Sequence, residues 1–408
     1  MTDKSKKIPP LRTDLQLQMI EDGGNQYVLM QDPLGYASES LAVSYNFYVL
    51  SQHFNGDTTF AEFEEILKKY GIEGEYSLIF SLIEKLDDAG FLISKKFLER
   101  RYKIESEYIN SSVRPCVCAG SSYPDNPQEL TLALKEFFNT SDKEEIEGNA
   151  ESIIIPHIDF RIGEDVHKTY AAGYHAIRNT EADLYVILGT SHYANSDFFM
   201  LTQKDFDTPL GTVTTDKKVI TEMQKYLGDE LTIDDFAHKP EHSIELQAVL
   251  LKYYFGDRDF NILPILTGSL HEFIMNGNNP ESNPRYNNFL DALKRAISDL
   301  GRKAVIISSV DFAHIGRKFG DDYDASPKLQ DLKIEDKVLI DALNKTDKSA
   351  FLNKIKQDKD KYKICGTAPI YAMLHAFEPG NAKFLNYGQW DESDTNSAVS
   401  FASLAYYK

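Results

Sequence analysis

The sequence predicts an α/β protein with a mostly parallel central sheet and helices on both faces, preceded by a small α+β domain. Three observations support this fold class. From about Arg114 onward, strand-like runs alternate with helical patterns, as they do in successive βαβ units. These runs are continuously apolar and β-branched, which is typical of buried parallel strands. Several of them end near residues that can bind metals, and ligands in open α/β sheets bind beyond the carboxyl ends of the strands.

The first part of the chain, residues 1–110, is predicted to be a separate domain. Its elements are expected in the order strand, three helices and strand, at residues 27–30, 38–53, 58–69, 76–89 and 91–93. This order is typical of a winged helix, and the phrase from Leu82 to Leu92 resembles PqqD-like peptide-chaperone domains. The basic stripe that DNA binding requires is missing from this sequence. Contact with a peptide or protein, or packing on the neighbouring domain, is therefore expected.

Residues 114–408 are predicted to form the α/β domain. After a linker at Arg114–Pro115 and 120–124, a helix is expected at 127–138. The strands are then expected near 152–156, 184–190, 260–266, 303–310 and 397–407. The helices between and around them are expected near 163–178, 215–226, 242–255, 284–299, 332–343, 347–356 and 366–377.

The composition narrows the classes of function. The chain of 408 residues is long enough for two or three domains. Its net charge of −19 disfavours non-specific binding to nucleic acid or anionic lipid. No apolar run in the sequence approaches the ~20 residues of a membrane span, and the charged start is unlike a secretory signal, so the cytoplasm is the expected compartment. The three cysteines do not suggest a disulfide scaffold.

Residues that could bind a metal stand at the ends of four predicted elements. His157 and His192 follow two of the apolar runs, and Asp311 with His314 follows a third. Cys365 directly precedes the helix expected at 366–377, and the amino end of a helix favours the thiolate form. Each of these residues also has an ordinary structural explanation, as a polar residue at a strand end or a small residue at a helix cap.

Other polar residues are candidates for acid–base work. Glu241 and His242 are expected in the first turn of a helix, where they could act in catalysis or support other site residues. Asp311 and His314 are three residues apart and would face one cleft if the segment turned helically. Asp159 could orient His157 or add a carboxylate beside it.

Eight segments, in this order along the chain, resemble the Memo family, which includes the bacterial AmmeMemoRadiSam system protein B. They are Ala119–Pro124, Pro156-His157, Gly189–His192, Thr208–Gly211, Glu241–Glu245, Ser308-Ser309, Asp311–His314 and Cys365-Gly366. The resemblance implies a fold similar to class III extradiol dioxygenases, which are non-haem iron enzymes. It also implies a metal held by His157, His192 and Cys365, in a pocket also lined by Asp311, His314 and His242.

The resemblance implies bound iron or copper and redox chemistry, although Ile158-Asp159-Phe160 replaces the Ala-Gly-Tyr that usually follows Pro-His in the family. Two alternatives remain open. The first is a binding protein that holds a small molecule or peptide, with a structural metal or none. The second is a zinc hydrolase with Glu241 or Asp311 as its base.

Overall fold

A computed structural model describes residues 3–72, 74, 76–256 and 258–408 of the chain. The chain forms two compact units, Met1–Ser111 and Ser112–Lys408. Among the described residues, no helix combines the length and the apolar character that crossing a bilayer requires.

The first unit combines an antiparallel sheet with helices. Strand β2 lies between β1 and β3 and is antiparallel to both. An apolar core that includes Phe63, Leu67 and Leu86 holds the helices together. The described elements are β1 (Gln16–Asp22), β2 (Asn25–Gln31), β3 (Leu41–Ser44), α1 (Tyr45–Ser51), α2 (Phe60–Lys69), α3 (Tyr76–Ala89) and α4 (Lys95–Asn110).

The helix predicted at 38–53 is wrong in its first half. Residues Leu41–Ser44 pair with β2 instead, and the helix begins only at Tyr45. The Ser44 hydroxyl accepts a hydrogen bond from the Phe47 amide and so caps the helix at this later position. Tertiary pairing has therefore overridden a helical pattern.

The strand predicted at 91–93 is also wrong, since Leu92 forms only a single bridge, with Leu11. The chain turns directly into α4, which begins after the cap residue Ser94 and was not predicted. Strand β1 was missed as well, because its side chains are almost all exposed and give no apolar run.

The second unit has the predicted alternation of strands and helices. Its first elements are β4 (Val113–Arg114), α5 (Pro127–Phe138), β5 (Ser152–Ile155), α6 (Glu164–Ala176), β6 (Leu184–Thr190), β7 (Phe199–Leu201), β8 (Asp205–Phe206), α7 (Lys217–Leu227), α8 (Asp235–His238) and α9 (His242–Phe255). They are followed by β9 (Asn261–Thr267), α10 (His271–Asn276), α11 (Pro284–Asp299), β10 (Ala304–Ser309), β11 (His314–Gly316), α12 (Leu329–Asn344), α13 (Lys348–Gln357), α14 (Thr367–Phe377), β12 (Asn381–Glu392) and β13 (Ser397–Tyr407).

The main sheet of this unit has eight described strands and a parallel centre. Strands β5, β10, β6 and β9 are parallel neighbours in that order. Antiparallel strands flank them, with β7 beside β9 and β13 beside β5, and β11 and β12 pair with β13. The α/β architecture with its central, mostly parallel sheet is therefore confirmed.

Helices cover both faces of the sheet, because successive side chains of a strand point to opposite sides. In β6, Val186 and Leu188 belong to a core shared with α7, α11 and α14. The alternate residues Tyr185 and Ile187 belong to a second core shared with α5, α6 and α9. All five predicted strands and all eight predicted helices of this unit are present, with ends displaced by at most three residues.

The linker predicted at Arg114–Pro115 and 120–124 is instead a packed segment. Arg114 is fully buried and forms an ion pair with Glu245 of α9. Tyr123 is buried too, and its hydroxyl donates to the same carboxylate. The turn residues and prolines are typical of a linker. The Arg114 charge can nevertheless be buried, because the Glu245 carboxylate pairs with it and accepts its hydrogen bond.

Candidate metal centre

The ends of three neighbouring parallel strands place the first candidate residues. Ser309 of β10 is in register with Ile155 of β5 on one side and with Gly189 of β6 on the other. His157 and Asp311 follow two residues beyond Ile155 and Ser309, and His192 follows three beyond Gly189. Residues far apart in sequence therefore meet at the carboxyl edge of the sheet.

Cys365 reaches the same edge from the loop that precedes α14. Its carbonyl oxygen accepts a hydrogen bond from the Thr190 hydroxyl at 3.0 Å, and its sulfur accepts one from the Asp311 amide at 3.3 Å. The loop contains Lys359, Asp360 and Lys363 with φ of 51°, 50° and 50°, a left-handed conformation that is unfavourable for these side chains. A strained loop thus presents the thiol to the strand ends.

The two histidines and the cysteine form a possible metal-binding group. Their ligand atoms all lie within 4.8 Å of one another. The Sγ of Cys365 lies 3.4 Å from Nε2 of His157, and the rings of His157 and His192 are 5.1 Å apart. His157 is buried, whereas Cys365 and His192 retain partial exposure.

Hydrogen bonds fix which ring nitrogen each histidine turns toward the cluster. Nδ1 of His157 donates to the Ser309 carbonyl at 2.9 Å, which leaves Nε2 free beside the cysteine. Nδ1 of His192 lies 3.0 Å from a carboxylate oxygen of Glu241, which can only accept, so the proton is on Nδ1. Both arrangements match the pattern of metal-ligating histidines, which donate their second N–H to a carbonyl or carboxylate.

Glu241 caps α9 rather than lying in its first turn as predicted. One carboxylate oxygen accepts from the His192 amide at 2.8 Å and the other from the Ser243 amide at 3.1 Å. Burial alone would raise the pKa of Glu241, but the charge and hydrogen bonds of His192 hold it below its usual range. For His192 the two effects have the opposite signs. Burial alone would lower its pKa, but the charge and the hydrogen bond of Glu241 hold that pKa well above its usual value.

His242 joins the group from the first residue of α9. Its ring lies 4.9 Å from that of His192 at an interplanar angle of 23°, and 5.1 Å from that of His157. Its Nδ1 is 3.3 Å from the carboxylate of Glu241. Burial lowers the pKa of His242 to about 4.

The helical turn that would bring Asp311 and His314 to one face does not form. Residues 311–313 have no regular secondary structure, and His314 begins β11. Asp311 is buried, with Oδ2 at 3.6 Å from Nε2 of His157, and burial raises its pKa to about 7. Nδ1 of His314 donates to the carbonyls of Phe312 and Lys363 at 3.2 and 3.1 Å, and burial lowers its pKa to about 4.

Two further expectations about single residues are corrected. The Asp159 carboxylate accepts from the amide and the guanidinium of Arg161 instead of meeting His157. Burial raises the pKa of the Cys365 thiol, although His192 opposes this shift. The amino end of a helix therefore does not by itself offset the effect of burial on this thiol.

Sequence reasoning missed the buried residues that hold the strand ends in place. The side-chain amide of Gln247 donates to the Pro156 carbonyl and to the Ser309 hydroxyl, both at 2.8 Å. The guanidinium of Arg114 donates to the Glu241 carbonyl at 2.8 Å. The sequence signal for Gln247 is its position on a helix that is otherwise apolar on nearly every side, since a polar residue there needs buried partners.

Known proteins resemble this chain over most of its length. The family model described as Memo-like protein matches residues 114–405. A MEMO1 family protein of Aquifex aeolicus is 30% identical over 395 residues, which cover 94% of this chain and 96% of that protein. A MEMO1 family protein of Methanosarcina mazei is 30% identical over 297 residues, covering 72% and 98%. The Protein memo-1 homolog of Caenorhabditis elegans is 28% identical over 322 residues, covering 75% and 86%.

Proposed function

The chain belongs to the Memo-like protein family, and we propose on that basis that its second unit binds a redox-active metal ion through His157, His192 and Cys365. Bound iron or copper would supply electron-transfer chemistry with oxygen on a small-molecule or peptide substrate. The similarity of the fold to class III extradiol dioxygenases, which the family resemblance implies, favours this reaction type.

The single observation that carries the proposal is the convergence of one thiol and two oriented imidazoles. A tetrahedral ion with bonds of ~2.3 Å to sulfur and ~2.0 Å to nitrogen separates those two ligands by about 3.5 Å. The Sγ of Cys365 and the Nε2 of His157 are 3.4 Å apart, so these two atoms could bind one ion with little movement. Thiolate and imidazole donors suit iron, copper or zinc and are poor ligands for magnesium or calcium.

The surrounding residues support the same reading. Glu241 and the Ser309 carbonyl hold the imidazoles in the tautomers that metal binding requires. The buried Asp311 carboxyl has a pKa of about 7, so near neutral pH it can hold a proton at Oδ2 or release it. His314 offers a second acid–base group whose Nδ1 is fixed by two carbonyls.

A zinc-dependent hydrolase is the second candidate, because the same three donors suit zinc and Asp311 could accept a proton from water. A binding protein without catalysis is the third. For the first unit we propose contact with a peptide or protein partner. Ion pairs of Lys96 with Asp88 and of Arg101 with Glu105 support this, because they occupy basic groups of α4 that DNA binding would use.

The proposal is tested by the metal content of anaerobically purified protein. His157→Ala, His192→Ala and Cys365→Ser are each expected to lose bound iron or copper while their circular dichroism remains near that of the wild type. The urea midpoints of His157→Ala and Cys365→Ser are expected to remain near that of the metal-free wild type. His271→Ala and Cys116→Ser are matched controls, since neither residue belongs to the cluster, and both are expected to keep the metal.

Oxygen consumption by the metal-loaded protein separates the candidate functions. Consumption that disappears in the cluster variants supports redox chemistry. Zinc alone, with no uptake of iron or copper under anaerobic conditions, would favour the hydrolase. Full metal occupancy in one of the three cluster variants would remove that residue from the ligand set.

A further inference from the structure

A second set of donors adjoins the proposed centre, and we propose that it binds a second metal ion, with His192 as a ligand shared by both ions. The set consists of His192, Glu241 and His242, whose ligand atoms all lie within 4.8 Å of one another. The sharing of His192 rests on the first ion proposed above, whereas binding of the second ion can be tested without any redox reaction.

The separations within this set fit an ion. Oε1 of Glu241 lies 3.0 Å from Nδ1 of His192 and 3.3 Å from Nδ1 of His242. Two ligands of a tetrahedral ion, each bonded at about 2.1 Å, lie about 3.4 Å apart. One carboxylate oxygen thus stands at nearly the required distance from both nitrogens. The two imidazoles are stacked at an interplanar angle of 23°, so both rings must turn about their side-chain bonds to direct Nδ1 at a common ion.

The carboxylate is held in place before any ion arrives. Its two oxygens accept hydrogen bonds from the backbone amides of His192 and Ser243, at 2.8 and 3.1 Å. Only 1% of the Glu241 side chain is exposed, whereas 28% of His192 and 33% of His242 remain accessible. A rigid buried oxygen with two partly exposed imidazoles beside it gives an ion a route from solvent and a preformed ligand.

His192 can serve both positions because its ring nitrogens have different neighbours. Nδ1 faces Glu241, which leaves Nε2 for the group with His157 and Cys365. A second ion would replace the Nδ1 proton, which would leave to solvent, and the imidazolate would then bridge the two ions. If the only role of Glu241 were to orient His192, those two residues would be enough. The presence of His242 beside the same carboxylate is explained if all three residues bind one ion.

The two positions differ in the ions that they favour. Cys365 makes the first position soft, whereas two imidazoles and a carboxylate make the second harder. The second position therefore suits divalent zinc, iron or copper, and it is expected to bind more weakly because it lacks a thiolate ligand and its ion must displace the Nδ1 proton of His192. Occupancy should then follow in two steps.

The test is the stoichiometry of zinc binding to the full-length protein, measured by titration against a chromophoric chelator and by elemental analysis after gel filtration. The wild type is expected to bind two zinc ions per chain. His242→Ala and Cys365→Ser are each expected to bind one, because each loses a ligand of a different position. His192→Ala is expected to lose at least tenfold in affinity at both positions, which is the signature of a shared ligand.

The matched control is His271→Ala, which should bind two ions. If His242→Ala folds poorly, Glu241→Gln is a second variant of the new position. Its single amide oxygen can keep one of the two backbone hydrogen bonds that the carboxylate accepts, such as the capping bond from Ser243. Saturation of the wild type at one ion, or two ions retained in His242→Ala and Glu241→Gln, would overturn the second position. Two ions retained in Cys365→Ser would instead overturn the first position. Loss of a single ion in His192→Ala would refute the sharing.

Discussion

Gly366→Ala should displace Cys365, the proposed metal ligand, without changing any of the three proposed ligands. Gly366 follows Cys365 directly, and its φ of −72° and ψ of −5° are comfortable for alanine. An added Cβ, however, would lie 2.9 Å from the Asp311 carbonyl oxygen and 2.9 Å from the Val310 Cβ. The effect of the substitution is therefore steric and comes from the strand end against which the cysteine packs.

The expected losses of stability and of zinc affinity can be estimated from this steric overlap. Ordinary contacts of a Cβ begin at 3.4 Å, so the two backbone segments must separate by about 0.5 Å. Overpacking of this kind in a core costs about 1–3 kcal/mol. The ligands of a metal site must be held to within about 0.5 Å of their binding positions, so a displacement of this size is enough to weaken binding. We expect the zinc affinity to fall by about 10–100-fold, as it does when residues that support metal ligands are changed.

Chelator competition gives the affinity, and urea denaturation of the metal-free protein gives the stability. Gly148→Ala is the control, because its Cβ would meet the side chains of Asn179 and Arg178, neither of which belongs to the proposed metal group. Gly148→Ala should therefore keep the zinc affinity of the wild type. Equal affinities and urea midpoints for the two variants would refute the claim that close packing at Gly366 positions the thiol.

Three further predictions concern the two units. Burial raises the pKa of Asp336 from 3.8 to about 6, so the folded state disfavours its charge, and the wild type loses stability as the pH rises through about 6. Asp336→Asn can still accept from the Tyr387 hydroxyl. Its free energy of unfolding, relative to that of the wild type, should therefore rise by up to about 3 kcal/mol between pH 4 and 8. A difference between the two proteins that does not change with pH in urea titrations would contradict this. Arg114→Met leaves Glu245 buried without its partner and should cost about 3–5 kcal/mol, and adding Glu245→Gln should recover part of it. Deletion of 1–110 should leave a folded, metal-binding protein, and an insoluble product from this deletion would show that the two units depend on a common core.

Much of the second unit could be predicted because its central strands are buried on both faces. Residues Leu184–Thr190 read as a continuous apolar run, and the observed strand has the predicted bounds. Strand β12 could not be read in the same way, because its burial is partial and irregular along twelve residues. The packed segment at Arg114 was mistaken for a linker, since a sequence does not show that a distant Glu245 will neutralise a buried arginine.

The site was predictable to the extent that its donors stand at strand ends. His157, His192 and Asp311 were visible because each follows an apolar run at a common edge. Cys365 was found through its helix and a family resemblance, and no local pattern reveals the strained loop that delivers it. The sequence does not show the roles of Glu241, because they depend on contacts that form only in the fold. Its carboxylate caps α9, accepts a hydrogen bond from His192 and lies beside the His242 imidazole.

Glu241 also explains how such a cluster remains stable without an ion. A buried carboxylate needs compensating charge or hydrogen bonds, and here the α9 amino end, two backbone amides and a protonated His192 supply them. A bound cation would take over the role of that proton, so the carboxylate is compensated in both states. The fold can therefore be complete before metal arrives, and binding should add stability to a preformed site instead of creating it. The same compensation explains why His157→Ala and Cys365→Ser are expected to remain folded without metal, whereas His192→Ala loses the part of it that the imidazole supplies.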